Sequence, residues 1–101
     1  MIRFEWDSVK ARNNLRKHGV SFEDAMHVFE DPHALFEQDR TDEAGELRWQ
    51  AVGLAGEAAV VLVAHTVREE GEGEVIRLIS ARPATRKERT RYEQTRAQNA
   101  G

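Results

Sequence analysis

Residues 74–94, EVIRLISARPATRKERTRYEQ, contain the change of pattern that most constrains the fold. The first part is an apolar run typical of a β-strand, interrupted by Arg77 and closed by Arg82. The chain then passes Pro83 and enters a helical pattern that carries Arg86, Lys87, Arg89 and Arg91. Guanidinium groups are planar, permanently charged and matched to phosphate oxygens, so this strand and helix suit an anionic polymer. An equally simple interpretation is that the helix bases form a solvated surface.

The strand that precedes this segment is the most apolar part of the chain. Residues 58–67, AAVVLVAHTV, predict a central strand, and the loop at residues 68–74 predicts an antiparallel hairpin with the next strand. If this hairpin is symmetric about Gly71, His65 lies opposite Arg77, and cross-strand neighbours are about 4.5–5.5 Å apart. We therefore expect the two side chains together on the less covered face of the sheet. A slip of one residue would place them on opposite faces.

The rest of the chain supplies one more strand, two helices and two further strands before the central hairpin. The strands are recognised by the alternation of apolar and polar residues. The helices begin at the caps Asp7 and Ser21 and end at Gly19 and at Asp31-Pro32. These elements cover residues 2–6, 7–19, 21–31, 34–37 and 47–53. The last helix begins near Thr85. The order β-α-α-β-β-β-β-α predicts an α+β fold, with a small antiparallel sheet and helices packed mainly on one side.

Length and composition limit the class of protein. A chain of 101 residues predicts one domain, residues 1–101, with a frayed tail from about residue 95. There is no cysteine, no apolar stretch of bilayer-spanning length and no signal-peptide pattern at the N-terminus, so we expect a cytoplasmic protein. The four histidines lack metal-ligand spacing. We expect neither a metal site nor a cofactor.

The net charge of −3 is unevenly distributed along the chain. Residues 30–46 contain seven acids and one base, whereas residues 82–96 contain six bases and two acids. Local patches determine the field that a ligand meets. The basic segment favours an anionic ligand, and the acidic segment indicates a second, basic partner.

The predicted neighbourhood of His65 and Arg77 has a chemical interpretation. Arg48 alternates outward on its strand and would join the pair in a basic cluster. Metal-free RNA cleavage needs a base for the 2′-hydroxyl, an acid for the leaving 5′-oxygen and fixed cations for the transition state. Histidine suits the proton transfers because its unperturbed pKa is about 6.5. A packed histidine at a strand end is an equally simple interpretation of His65, and His18 has a structural use at a helix C-terminus.

Three segments together resemble the BrnT family of type II toxin–antitoxin systems. They are FEWDSVKARNNLRKHGVSFEDA at residues 4–25, VLVAHT at residues 61–66 and EVIRLISARPATRKERTRYE at residues 74–93. That family is similar to RelE-type ribonucleases in fold and activity. Ser8 and Pro83 depart from its usual pattern.

The resemblance implies an endoribonuclease toxin that cleaves RNA, arrests growth and is neutralised by a BrnA-like ribbon-helix-helix antitoxin. A dimer within a heterotetramer is one arrangement that such a partner would allow, and the sequence leaves the stoichiometry open. We expect contact with DNA only through the antitoxin complex, and no membrane partner.

Two hypotheses follow from the sequence. In the first, the protein is a metal-independent endoribonuclease that inhibits translation. Its catalytic candidates are His65, Arg77 and Arg48, to which the resemblance adds His18, and its phosphate-binding candidates are Arg82, Arg86 and Arg89. In the second, a weakly active or inactive toxin-like module sequesters the antitoxin and co-represses its operon. The acidic segment favours the second hypothesis, because it suits a basic partner better than RNA.

Overall fold

Five strands and three helices follow one another in the predicted order. The computed structural model describes residues 1–56 and 59–99. The strands are β1 (Ile2–Glu5), β2 (Leu35–Thr41), β3 (Leu47–Leu54), β4 (Val60–Glu70) and β5 (Gly73–Pro83). The helices are α1 (Ser8–His18), α2 (Phe22–Ala25) and α3 (Arg86–Asn99). A 3₁₀ segment (Met26–Glu30) continues α2. Within the described part of the chain, no helix is both long enough and apolar enough to cross a bilayer.

The ends of the helices follow the predicted signals with two differences. Asp7 caps α1, accepting hydrogen bonds from the backbone N–H groups of Val9 and Lys10, and Gly19 ends it with φ 73°. The second helix remains α-helical only to Ala25 before it tightens into the 3₁₀ segment. The expected frayed tail from residue 95 is helical as far as Asn99, and residues 100 and 101 lie outside the described residues.

The strands form one sheet in the order β1-β5-β4-β3-β2. The pairs β2–β3, β3–β4 and β4–β5 are antiparallel, as expected for consecutive strands joined by short connections. β1 instead pairs with β5 in parallel. The expectation of a wholly antiparallel sheet is therefore wrong. β1 and β5 are separated by most of the chain, so no tight turn fixes their relative direction.

The two faces of the sheet are covered differently. We call one the core face, because its side chains, among them Val63 and Leu78, form the hydrophobic core with Phe22 and Val28 of the preceding helical segments. The other, which carries Arg68 and Arg77, we call the arginine face. Helix α3 lies over one end of the arginine face, where a small cavity is bounded by Leu35, Gln50, Val52, Leu62, Glu88 and Arg91. The predicted α+β class is confirmed, with most helices on one side.

The β4–β5 hairpin has a different register from the symmetric one. The turn contains Gly71 and Glu72, with φ 62° at Gly71, and Thr66 lies opposite Arg77. A glycine with positive φ at the first turn position is typical of a two-residue hairpin whose twist matches its strands. The prediction that pairs His65 with Arg77 is wrong by one residue. His65 lies opposite Leu78.

A β-bulge follows this part of the hairpin. Leu78 pairs with His65, whereas Ser80 pairs with Ala64, so Ile79 is an additional residue on β5. A bulge changes the facing of every residue that follows it on the strand. As a result, Ala81 lies opposite Val63 and is fully buried in the core.

Candidate functional site

Arginine side chains occupy the part of the arginine face that α3 leaves uncovered. Arg77 donates a 2.6 Å hydrogen bond to Glu5, and Arg68 donates one of 2.6 Å to the other oxygen of the same carboxylate. Arg68 also contacts Glu70 at 3.1 Å, and Arg3 contacts Glu70 at 2.7 Å. The two strands β1 and β5 position this pairing, because Glu5 lies beside Arg77 in their parallel register.

Arg48 lies on the same face, two strands away from Arg77. Trp49 pairs with His65 on the core face, so the preceding residue of β3 points to the arginine face beside Thr66. Thr66 in turn lies opposite Arg77. Neighbouring strands are about 4.8 Å apart, which places the backbones of Arg48 and Arg77 about 10 Å from each other. We call Arg48, Arg68 and Arg77 the arginine cluster.

The electrostatics of the arginine cluster favour charged partners. Hydrogen bonds from Arg68 and Arg77 hold the pKa of Glu5 below its ordinary value, so this carboxyl group is ionised at neutral pH. The same contact with Glu5 raises the pKa of Arg68. The side chains of Arg77 and Arg68 are 38% and 44% exposed, so an anion from solution can reach them. Arg48 is held more loosely, with its Nε atom 3.6 Å from Asp42.

His65 lies on the core face and does not belong to the arginine cluster. It is 2% exposed, and its Nδ1 atom is 3.2 Å from the carbonyl oxygen of Val63. The ring of Phe29 meets it edge to face, with centroids 4.8 Å apart. Burial lowers the pKa of His65, so the imidazole is neutral at pH 7. The predicted contact between His65 and Arg77 is therefore absent, because the one-residue change of register turns them to opposite faces.

The other predicted site residues are dispersed. His18 is the last residue of α1, whereas the first turn of this helix is the end that lies near Arg77. The two ends of the helix are about 15 Å apart. Arg82 makes a bidentate pair with Glu88 at 2.8 and 3.0 Å, and this contact lowers the pKa of Glu88 to about 2. Arg86 and Arg89 are exposed on α3.

Sequence reasoning missed two members of the site, Glu5 and Arg68. Arg68 follows Thr66 by two residues on β4, so strand alternation alone places both on one face. That signal was available in the sequence. Glu5 joins the arginines only because β1 pairs with β5, and no local pattern indicates that pairing.

Comparisons with known proteins agree with this architecture. A family model described as "Ribonuclease toxin, BrnT, of type II toxin-antitoxin system" matches residues 6–88. The crystal structure of the ribonuclease toxin BrnT from Brucella abortus superposes with a TM-score of 0.59 and 23% sequence identity. That alignment covers 85% of this chain and 100% of the Brucella chain, and at this identity it supports the fold alone. A search of curated proteins finds no match.

The family match extends over most of the chain, from Trp6 at the end of the first strand to Glu88 in the first turn of α3. It includes the central hairpin and all three residues of the arginine cluster, Arg48, Arg68 and Arg77. The resemblance that the sequence motifs indicate is therefore confirmed. The chain belongs to the BrnT family, the ribonuclease toxins of type II toxin–antitoxin systems.

Proposed function

We propose that this protein is a metal-independent endoribonuclease that acts in the cytoplasm and binds RNA across the arginine cluster. The observation that carries the proposal is that Arg48, Arg68 and Arg77 lie on the same face of the sheet, on neighbouring strands, where Arg68 and Arg77 share Glu5. Fixed guanidinium groups on a solvent-accessible face suit a phosphodiester and the charge that develops on it during cleavage. Exposed Arg86 and Arg89 on α3 would extend the basic path for the rest of the RNA.

In the proposed reaction, the ribose 2′-oxygen attacks the adjacent phosphorus and the bond from phosphorus to the 5′-oxygen breaks. The products are a 2′,3′-cyclic phosphate and a free 5′-hydroxyl. Arg77 and Arg48 stabilise the additional negative charge on the phosphoryl oxygens. The leaving 5′-oxygen takes its proton from water at this exposed face.

We assign the base role to Glu5 in place of His65. The carboxylate is ionised and lies 2.6 Å from both Arg68 and Arg77. A phosphate that binds these arginines competes with Glu5 for them. Loss of those hydrogen bonds raises the pKa of Glu5 toward its ordinary value and makes it a better proton acceptor. In this scheme His65 supports the packing of β4, and His18 and Arg82 have supporting roles outside the reacting centre.

Cleavage of purified RNA by the Arg77→Gln variant tests the proposed phosphate site. We expect a rate about 10²–10³-fold below that of the unaltered protein, because a fixed cation is lost where charge develops. The assay contains EDTA, so activity there also tests metal independence. Arg16→Gln is the matched control, since it removes the same charge from an exposed position on α1. Equal rates for Arg77→Gln and the unaltered protein would refute this assignment.

The Glu5→Gln variant separates the base role from a structural one. Glutamine keeps the size of the side chain but cannot accept the 2′-hydroxyl proton. We expect cleavage to fall about 10²-fold or more, whereas RNA binding becomes equal or tighter, because a competing negative charge is removed. Binding is measured by fluorescence anisotropy with a 2′-deoxy substrate analogue. A parallel loss of binding and cleavage would indicate that Glu5 only maintains the fold of the site.

A second candidate function is a toxin-like module whose main activity is to hold a BrnA-like ribbon-helix-helix antitoxin and co-repress its operon, as a dimer within a heterotetramer. The observation in its favour is that Arg68, Arg77 and Arg82 all contact carboxylates in the free protein. Phosphate binding would have to displace these carboxylates. Expression without the antitoxin distinguishes the candidates: normal growth with intact RNA would favour the binding module.

A further inference from the structure

We propose that the antitoxin anchors on this protein through a groove on the core face, into which it inserts a short amphipathic segment with apolar side chains and a basic residue. The proposal rests on membership of a toxin–antitoxin family and not on nuclease activity, because the groove lies on the face opposite the arginine cluster.

The groove crosses all five strands on the core face, beside the 3₁₀ segment. It has a volume of about 350 Å³ and its lining includes Ile2 of β1, Ile76 of β5, Val67 of β4, Trp49 of β3 and Phe36 of β2. Phe29 of the 3₁₀ segment forms one wall, with its ring centroid 6.0 Å from that of Phe36 and 5.4 Å from that of Phe4. The groove therefore continues the hydrophobic core out to the surface.

Large apolar side chains remain exposed at both ends of this groove. Ile2 is 52% exposed and Phe36 is 50% exposed, and each lies on an edge strand of the sheet. Contiguous apolar surface that crosses five strands marks a binding site more often than scattered apolar residues do. A volume of about 350 Å³ accommodates only a few side chains, so a short segment fits it better than a whole domain face.

The rim of the groove is acidic toward the hairpin turn. Glu69 and Glu74 lie directly opposite each other on β4 and β5, and the strand register turns both to the core face. Like charges in this arrangement destabilise a sheet. Within residues 1–56 and 59–99, neither carboxylate forms a salt bridge with a basic side chain. A lysine or arginine from a partner would relieve this repulsion.

Charge complementarity selects the occupant. RNA is excluded by the carboxylates of the rim. A second copy of the chain fits poorly, because the lining of its own groove contains no lysine or arginine that could pair with Glu69 and Glu74. A basic amphipathic segment satisfies both features of the groove, since its apolar side chains fill the floor and its cation meets Glu69 and Glu74.

The test is calorimetric titration of this protein with its cognate antitoxin. Two groove variants are used, the double variant Ile2→Ser/Phe36→Ser and the double variant Glu69→Lys/Glu74→Lys. We expect each to weaken binding about 10-fold or more, because the first removes apolar contact at both ends of the groove and the second repels the basic residue of the segment. Glu69 and Glu74 are both exposed, so their variant remains informative if the serine variant folds poorly. Circular dichroism establishes the fold of each.

Controls match the groove variants in chemistry but not in position. Val9→Ser/Leu15→Ser removes apolar residues that are 53% and 50% exposed on α1, and Glu23→Lys/Glu93→Lys reverses two exposed charges, one on α2 and one on α3. We expect both controls to bind within about twofold of the unaltered protein. Unchanged binding by the glutamate variant, or equal weakening by the controls, would overturn the proposal. The proposal would also be overturned if the unaltered protein formed a dimer without antitoxin and the serine variant were a monomer.

RNA cleavage by the same variants distinguishes this proposal from the nuclease assignment. The groove variants should cleave RNA at the rate of the unaltered protein, because none of their residues lies on the arginine face. If no variant and no unaltered protein cleaves RNA, the nuclease proposal fails and the calorimetric comparison still decides the docking site.

Discussion

At the scale of single residues, Asn14 shows how one buried amide completes a sheet. β1 pairs with β5 only from Glu74 to Arg77, so the second half of β5 has a strand on its β4 side but none on the other side. Helix α1 lies there, and Asn14 supplies the missing partner. Its Nδ2 atom donates to the carbonyl of Ala81 at 2.8 Å and to that of Val20 at 3.0 Å, and its Oδ1 atom accepts from the N–H of Ala81 at 3.1 Å. One side chain thus imitates a short piece of strand.

Replacement of Asn14 by alanine should destabilise the protein by about 2–4 kcal/mol, because the backbone groups of Ala81 would be buried without partners. Equilibrium unfolding in urea measures the change. Asn13→Ala is the matched control, since the neighbouring asparagine is exposed on the same helix, and we expect a change within about 0.5 kcal/mol. Similar losses in the two variants would contradict this account of α1.

His65 makes the stability of the protein depend on pH. Its folded-state pKa is lowered because the charged imidazolium would lose its hydration among aromatic rings. The unfolded chain therefore binds a proton that the folded chain excludes. Stability should be constant above the ordinary histidine pKa of about 6.5 and should decline as the pH falls below it.

The His65→Phe variant should lose this part of the pH dependence, which is measured by urea unfolding between pH 7.5 and pH 5. The exposed residue His27 provides the control, and His27→Gln should keep the decline of the unaltered protein. An unchanged pH profile in His65→Phe would show that the buried imidazole is not the group responsible.

At the scale of elements, the start of α3 is fixed by one carboxylate that accepts three hydrogen bonds from two residues. Glu88 accepts a 2.8 Å hydrogen bond from the backbone N–H of Thr85, whose hydroxyl accepts from the N–H of Glu88 in return. This is a capping box. The bidentate contact with Arg82 adds to it and lowers the pKa of Glu88 to about 2. Glu88 thereby connects Arg82 near the end of β5 with Thr85 at the start of α3 and fixes the turn between them.

The Glu88→Gln variant should be less stable than the unaltered protein by about 1–3 kcal/mol at pH 7, because a charge-assisted pair and a cap are weakened. A lowered pKa stabilises the fold above the ordinary carboxyl value of 4.5, and the contribution disappears as the pH falls toward about 2. The difference between the two proteins should therefore shrink over that range in acid unfolding. Glu93→Gln, an exposed change on the same helix, should show no such difference.

Local signals in the sequence were sufficient for the elements but not for their arrangement. Asp7, Gly19 and Ser21 fix helix ends through contacts within a few residues, and these predictions hold. The hairpin register depends on the geometry of one two-residue turn and on the bulge at Ile79, which apolar periodicity does not encode. A register different by one residue, set by the turn, places Thr66 and not His65 opposite Arg77. Of the predicted site residues, Arg48 and Arg77 share the arginine face, whereas His65 lies on the core face.

At the scale of the whole molecule, the sheet separates two kinds of surface. The arginine face presents cations at its uncovered end, and the core face presents an apolar groove with an acidic rim. The net charge of −3 hides this division, because both patches contribute to one sum. Ligands of opposite charge would therefore approach opposite sides of the same five strands.

This separation predicts that changes on the two faces act independently. Arg77→Gln should leave antitoxin affinity within about twofold of the unaltered protein while it reduces RNA cleavage. Combination with Glu69→Lys/Glu74→Lys should give the sum of the separate free-energy changes, because the sites share no contact. Calorimetry and RNA cleavage on the combined variant measure both. Strong non-additivity would mean that the sheet couples its faces.

The extra residue at Ile79 makes β5 a strand with two phases. Before Ile79, the even-numbered side chains of β5 point to the core face, and after it the odd-numbered side chains do so. Leu78 and Ala81 are therefore both buried in the core. Exchange of Ile79 for another apolar residue alters one side chain. Deletion of Ile79 would instead turn every later side chain of the strand to the opposite face of the sheet. It would also remove the backbone groups of Ala81 from their hydrogen bonds with Asn14 of α1. The length of this segment is accordingly under stricter constraint than its composition.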